Sequence, residues 1–545
     1  MELTIEEALQ KSVSAHLEGN LQEAERLYRA VLKVQPSNSG ASHGLGLVAV
    51  SLNKPELALP FFKTALEENS KIEYFWLSYI ETLIKLNQLE KAQNTLSEAE
   101  KLGFVGKRFY SLSKLLITAN NPEDSKAHSN LGFTLQELGR LKEAEVSYRK
   151  SIALNPNCAE SHFDLGNIFK RLERLEEAEA SFRKAIVLKP DYAESHNNLG
   201  VTLEEMGRLE ESLKSYNRAI ELRPDYAVAH NNLGNTLFLL HRVEEAEASF
   251  NKAIESKPEY SSAFINRAKL FFKLGSFEAA LKDADFCNTK SSRLVALESL
   301  YALGRVEEVY QRIEVQSELG EEDIRVAAFA SFLSKIEKKD TANNFCNNPI
   351  DFVNFSNVSS HLKDSSIFIE ELIEELGSLE KIWEPAKKST RKGFQTPSKI
   401  NLFTNPSVKM EGLKSIIIDE LDSYYLKFKD ETCSFIQNWP TKKNLSGWQV
   451  VLRRQGYQTA HIHPGGWLSG VIYLKVAPSL GKDEGAIEFN LSGENYSNTN
   501  SPKLTYQPEV GDMVFFPSSL HHRTIPFSTN TDRMIVSFDL LPESV

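Results

Sequence analysis

Gly132, Gly166, Gly200 and Gly234 stand 34 residues apart, and Pro156, Pro190, Pro224 and Pro258 keep the same step. Ala144, Ala178, Ala246 and Ala280 hold the same phase, with Ser212 in the missing place. A fixed period of this length constrains a chain strongly. Each period is one supersecondary unit that cannot cover its own apolar face, so neighbours must stack. Within a period, apolar residues recur at helical spacing over 127–139 and again over 141–154. Gly139-Arg140 supplies the turn between the two helices, and Pro156 ends the unit. Gly132 and Ala144 are small where the paired helices approach closely.

The pattern resembles the tetratricopeptide repeat, which implies an all-α solenoid. Weaker units precede the regular block: Ala24, Ala58 and Ala92 are also 34 apart, whereas Ala92 and Ala144 are separated by 52. The expected organisation is degenerate repeats over 1–104, a spacer over 105–126, regular repeats over 127–290 and degenerate capping helices over 291–337, with a closing helix over 320–337. The polar stretch 338–349 reads as a linker.

Beyond it, short Val/Ile/Phe-rich runs alternate with Gly, Pro, Asn and Ser clusters, as at 448–452, 468–476, 486–489, 513–516 and 534–540. The expected fold of 350–545 is therefore a mainly-β double-stranded β-helix, or jelly roll, flanked by helices over 365–376 and 413–436. The net charge of −11 comes without a basic block, which argues against nucleic acid or anionic lipid as the main partner. No apolar run approaches the roughly 20 residues of a membrane helix. The four cysteines are scattered, as expected of free thiols in a reducing compartment. A cytoplasmic protein is the expectation.

The chemistry concentrates in one place. His461-Ile462-His463 is followed some sixty residues later by a strand-like run and His521-His522, and Arg533 comes eleven positions on. Alternation along a strand sends His461 and His463 to the same face. A third imidazole from a distant strand then makes a facial set of three on an octahedral metal, with the opposite positions open. His128, His162, His196 and His230 also recur every 34 residues, but stacked repeats hold equivalent positions about 10 Å apart, too far to share a metal.

Here the chain resembles the 2-oxoglutarate- and Fe(II)-dependent oxygenases, in particular a group with an H-x-H-P-G segment. The matching residues are His461 to Gly465, Leu468 to Tyr473, Gly511-Asp512 leading to Phe516-Pro517-Ser518, His522 with Pro526, and Asp532-Arg533 with Ser537-Phe538. The resemblance spans roughly 385–545. It implies His461 and His522 as iron ligands and Arg533 as the bidentate partner of the 2-oxoglutarate carboxylate, a task suited to the guanidinium fork. It also implies a hydrogen bond from Tyr473 to that cosubstrate. His522 is preferred over His521 because the family pattern has His, three residues, then Pro. Most of the superfamily carries a carboxylate where this chain has His463, so the expectation is a site of three histidines, with a two-histidine site as the other possibility.

Asn130, Asn198, Asn232 and Asn266, with Asp164 completing the series, sit two residues before the small position of each repeat. That position faces the concave groove in tetratricopeptide proteins, where an amide offers both donor and acceptor to an extended peptide. Arg453-Arg454 reads as a solvated strand end, and Trp448, Tyr457 and Trp467 as pocket lining or core. The expected function is an oxygenase of hydroxylase type whose repeats recruit a protein or peptide substrate. The competing reading is an interaction scaffold with an inactive barrel.

Overall fold

The computed structural model describes residues 4–17, 19–318, 322–385, 388–398, 400–404 and 406–543. The chain forms two compact units, Met1–Thr202 and Leu203–Val545. The first consists of helical repeats. The second begins with repeats and continues into the β-rich part.

In the first unit each repeat is a pair of antiparallel helices, such as Ser125–Glu137 with Leu141–Leu154 and Ala159–Arg171 with Leu175–Leu188. Part of the 105–126 spacer is itself a helix, Lys107–Asn120. Gly139 makes its turn at φ +74°, in the left-handed region. The small position has a specific cause: it makes room for the aromatic ring sixteen residues later. A Cβ on Gly132 would lie 2.9 Å from the Tyr148 ring, and one on Gly166 would lie 2.7 Å from the Phe182 ring. Both rings are fully buried, so neither can step aside. Gly166→Val is therefore expected to destabilise the repeats by about 2 kcal/mol through overpacking, seen as a lower urea midpoint at unchanged slope.

The periodic histidines have a structural task. Nε2 of His128, His162 and His196 lies 3.0, 3.1 and 3.2 Å from the carbonyl oxygens of Pro122, Pro156 and Pro190. Each imidazole N–H thus closes the turn that precedes its own helix.

His43 is the buried imidazole of the first unit, 6% exposed, packed on Phe62 and Phe75 with Nε2 2.9 Å from Ser78 Oγ. Burial lowers its pKa to about 4. The unfolded chain gains that proton near pH 6.5, whereas the folded protein gains it only near pH 4. Stability from the neutral ring is therefore complete above pH 6.5 and is lost as pH falls through about 4. Urea midpoints should fall across this window, and His43→Gln should flatten that part of the profile.

In the second unit the closing helix is Ile324–Glu337; residues 320 and 321, its expected start, lie outside the described residues. It is buried nearly all round. Phe329, Phe332 and Val326 belong to one core with Leu297, Leu300 and Val309 of the preceding helices and with Val450, Phe489 and Ile535 of the β-rich part. The segment 338–349 is also packed: Phe345 and Cys346 are each 1% exposed, and the Cys346 carbonyl accepts from Ser331 Oγ at 2.8 Å.

Among the described residues the β-rich part has ten strands: β1 (Asn354–Asn357), β2 (Ile382–Trp383), β3 (Thr390–Gln395), β4 (Leu445–Gln458), β5 (Leu468–Lys475), β6 (Ile487–Asn490), β7 (Lys503–Tyr506), β8 (Asp512–Pro517), β9 (His521–Thr524) and β10 (Arg533–Leu540). They form a seven-stranded sheet, β1-β8-β5-β10-β4-β3-β2, and a three-stranded sheet, β7-β6-β9. All pairings are antiparallel. From β4 onward the chain passes back and forth between the two sheets, which is the double-stranded β-helix.

Both faces of the large sheet are covered. Val450, Val471, Val514 and Ile535 face the small sheet, while their neighbours Val451, Ile472, Phe515 and Val536 face helices Ser365–Gly377 and Val408–Phe428. This explains strands that read as continuous apolar runs rather than as strict alternation. Among the described residues no helix is long and apolar enough to cross a membrane.

Candidate metal centre

The backbone brings two histidines together first. His461 and His522 face each other across an antiparallel bridge, each N–H donating to the other's carbonyl at 3.1 and 3.0 Å. His463, two residues on, donates its N–H to the Ser518 carbonyl at 3.1 Å. The result is three rings facing one point, with centroids 4.3 Å apart for His461 and His522, 4.9 Å for His463 and His522, and 5.2 Å for His461 and His463. One nitrogen from each lies within 4.8 Å of the others, a spacing that suits one metal ion. His521 alternates to the other face of β9, where Tyr496 meets it edge-on at 5.8 Å.

The second nitrogens fix the tautomers. Nδ1 of His461 is 2.7 Å from the Thr459 carbonyl, Nδ1 of His522 is 3.2 Å from the Leu520 carbonyl, and Nδ1 of His463 is 2.6 Å from Asp539 Oδ1. Carbonyl and carboxylate oxygens only accept, so each ring keeps its proton on Nδ1 and offers a lone pair at Nε2. Burial assists: it lowers the pKa of His461 to about 3 and that of His522 well below the ordinary range, keeping both neutral at pH 7. Ser389 Oγ, 3.3 Å from His461 Nε2, is the remaining polar neighbour on that ring.

A carboxylate stands behind His463. Asp539 accepts from His463 Nδ1 and, at 2.7 Å, from Ser469 Oγ. A carboxylate behind a ligating imidazole orients the ring and raises its basicity. Asp539, Ser469 and Ser389 were not among the residues expected from sequence to form the site. The available signal was Asp539 itself, the lone charged residue in the strand-like run 534–540.

Arg533 is the second unusual feature. Its side chain is 1% exposed, and Nη2 donates to Tyr473 Oη at 3.2 Å, but Nε and Nη1 have no partner. Its guanidinium carbon also lies 5.0 Å from the Tyr473 ring centroid. Burial pulls the guanidinium pKa down and pushes the Tyr473 phenol up. A buried cation with two unsatisfied donors is costly unless an anion completes it. Arg533 and Tyr473 line the same narrow cavity as His463 and His522. The donor set therefore suits an anion at Arg533 beside a metal at the imidazole nitrogens. A second, open pocket of about 450 Å3 lies on the other side of His461 and His463, walled by Trp448, Gln395, Gln458 and Ser446.

Other expected residues lie elsewhere. Trp467 belongs to the core, its indole N–H bonded to the Phe435 carbonyl at 2.9 Å, and Arg453 pairs with Asp532 at 2.9 Å. In the first unit Asn130 is exposed, Asn198 donates to Asn167 Oδ1 at 2.8 Å, and burial raises the Asp164 carboxyl to about 6. In the second unit Asn266 donates to Asn231 Oδ1 at 3.0 Å and Asn232 is half-buried.

Comparison with known proteins agrees with this division. Residues 446–539 match the family described as "Putative 2OG-Fe(II) oxygenase". Residues 18–71, 125–158 and 191–259 match families described as "Tetratricopeptide repeat", and 166–207 one described as "TPR repeat". Among solved structures, YrrB, titled a TPR protein with an unusual peptide-binding site, is 22% identical over 36% of this chain and 99% of its own, with a TM-score of 0.29. Pseudomonas aeruginosa pilF is 21% identical over 40% of this chain and 94% of its own, with a TM-score of 0.33. PilW, a type IV pilus biogenesis factor, is 22% identical over 36% and 94%, with a TM-score of 0.34. No curated protein matches the chain. The protein thus joins tetratricopeptide repeats to a C-terminal segment that matches the family described as "Putative 2OG-Fe(II) oxygenase".

Proposed function

We propose that the barrel is a 2-oxoglutarate- and Fe(II)-dependent oxygenase of the hydroxylase type, and that the repeats hold its protein or peptide substrate. The observation that carries this reading is the pairing, around one cavity, of three imidazoles tautomerised to offer Nε2 with a buried guanidinium whose Nε and Nη1 lack acceptors. His461, His463 and His522 would hold the iron, and Arg533 with Tyr473 would hold the cosubstrate carboxylate. When bound, the two supply an oxidation of the substrate coupled to oxidative decarboxylation of 2-oxoglutarate to succinate.

The chain's own contribution is orientation and exclusion of water. The His461–His522 bridge fixes two rings through the backbone, and Asp539 with Ser469 fixes the third. With three imidazoles the chain would give the ion no anionic ligand, so the dianionic cosubstrate would meet the ion at one end and the guanidinium at the other. Phe516 and Ile487 line the inner cavity, whereas the outer pocket is open and lined by the amides of Gln395 and Gln458 and several hydroxyls, together with Lys388 and the apolar Trp448 and Ile400. The substrate group would enter on that side.

Anaerobic reconstitution with Fe(II) and 2-oxoglutarate tests the proposal. A weak visible metal-to-ligand absorption, followed by succinate on admitting oxygen, is expected. Protein that retains no iron and releases no succinate would transfer the weight to a repeat scaffold carrying an inactive barrel.

A further inference from the structure

A cavity of about 380 Å3 lies within the second unit where the repeats meet the barrel. One wall is Phe238 of helix Ala227–Leu239 with Phe272 of helix Ser261–Lys273; the other is Asn495, from the segment between β6 and β7. Its charges are unbalanced. Lys273 is neutralised by Glu494 at 2.5 Å, and the Glu298 carboxylate, 4% exposed, accepts from the Asn495 amide at 2.9 Å. Burial raises the Glu298 pKa to about 7, so its charge is only partial near neutrality. Lys269 and Arg325 also line the cavity; the Glu298 charge acts on the Lys269 ammonium, but neither cation forms an ion pair among the described residues. Both remain solvent-accessible, as groups that meet an incoming ligand must. They are near enough that, after the effect of their surroundings, the Arg325 charge lowers the Lys269 ammonium pKa. Two like charges in one cavity, offset only by the partly charged Glu298, repel each other and favour an incoming anion.

The cavity's position says what kind of anion. It is bounded by the first helices of successive repeats, and Asn495 on its far wall precedes Tyr496, whose ring meets His521, the neighbour of the candidate ligand His522, edge-on at 5.8 Å. The two phenylalanines give an apolar wall beside the two cations. The geometry points to a docking subsite for an acidic peptide segment, with a carboxylate on Lys269 and Arg325 and an adjacent apolar side chain against Phe238 and Phe272. This deepens the reading that the repeats hold a peptide for the barrel, but it can be tested without iron or cosubstrate.

The probe is a fluorescein-labelled decapeptide of Glu, Leu and Phe, titrated into the full chain by anisotropy at low salt. Its counterpart has every Glu replaced by Gln, and each is made with a free and an amidated C-terminus. The acidic peptide is expected to bind at least tenfold tighter than the Gln form, by about 1.4 kcal/mol per tenfold. Loss of affinity on amidation alone assigns the carboxylate to the peptide terminus, and loss only on Gln replacement assigns it to a side chain; either supports the subsite. Lys269→Glu with Arg325→Glu should erase the preference. Lys11→Glu with Lys101→Glu, the same charge change on exposed residues of the first unit, should keep it. Equal binding of all four peptides, a preference for the carboxylate that survives the first pair, or one lost equally with the second pair overturns the proposal. Absorption and succinate release on reconstitution report the barrel separately, so failure of the subsite and failure of the oxygenase reading are distinguishable.

Discussion

Arg533→Ala is expected to weaken 2-oxoglutarate binding by at least about 100-fold while iron retention stays close to wild type. The magnitude follows from removing one partner of a buried, doubly hydrogen-bonded charge pair, which costs about 3–5 kcal/mol. Calorimetric titration of 2-oxoglutarate into anaerobic Fe(II) protein, beside metal analysis, reads the two quantities independently. A companion result tests the cause. Without ligand, Nε and Nη1 of Arg533 are buried and unpartnered, so the wild type carries their desolvation cost uncompensated. Arg533→Met, which fills similar volume without donors, should raise the melting temperature of ligand-free protein and abolish its stabilisation by 2-oxoglutarate. A variant that lost stability instead would mean that the guanidinium is satisfied within the fold.

His522→Ala is expected to have the larger effect on turnover, reducing succinate release below detection, with iron retained at less than a tenth of stoichiometry. His522 is both a candidate ligand and the backbone partner of His461, and Ala keeps the bridge while removing the ring. His463→Ala resolves the number of ligands: iron loss equal to that of His522→Ala makes three, and near-full retention makes two. Asp539→Asn sits between these cases. It removes the carboxylate behind His463 but leaves Nε2 in place, so metal affinity should fall by about 10–100-fold without being abolished. If Asp539→Asn retained iron as tightly as wild type, the ring would be held by Ser469 and packing alone.

The repeats were legible because their signal is redundant. Gly132, Gly166 and Pro156 each recur at a fixed phase, and a period carried by several residue types survives the loss of any one. The reason for the small position was not legible: it is the ring of Tyr148 or Phe182 sixteen residues on, a contact that only the helix pairing creates. The periodic histidines bond to a proline carbonyl six residues back, a contact set by turn geometry and not visible in their spacing. In the barrel, strand positions could be read from β-branched runs, whereas the partition of the strands into sheets of seven and three depends on pairings between distant segments. Asp539 illustrates the general difficulty. Its importance lies in being 76 residues from His463 in sequence and 2.6 Å from it in space. The polar composition of 338–349 likewise conceals Phe345 and Cys346, two apolar residues too few to register as a pattern but both buried.

The helix Ile324–Glu337 gives the second unit an asymmetry. A free-standing solenoid frays from both ends, because each terminal repeat has a neighbour on one side only. Here the last helices share Phe329, Phe332 and Val326 with the barrel interior, so that end has no terminal repeat to peel away. Amide exchange in the second unit should therefore slow progressively toward residue 337. A deletion that cuts between helix and barrel would not release two intact modules: it would leave a hydrophobic wound on each, and both fragments would be prone to aggregate.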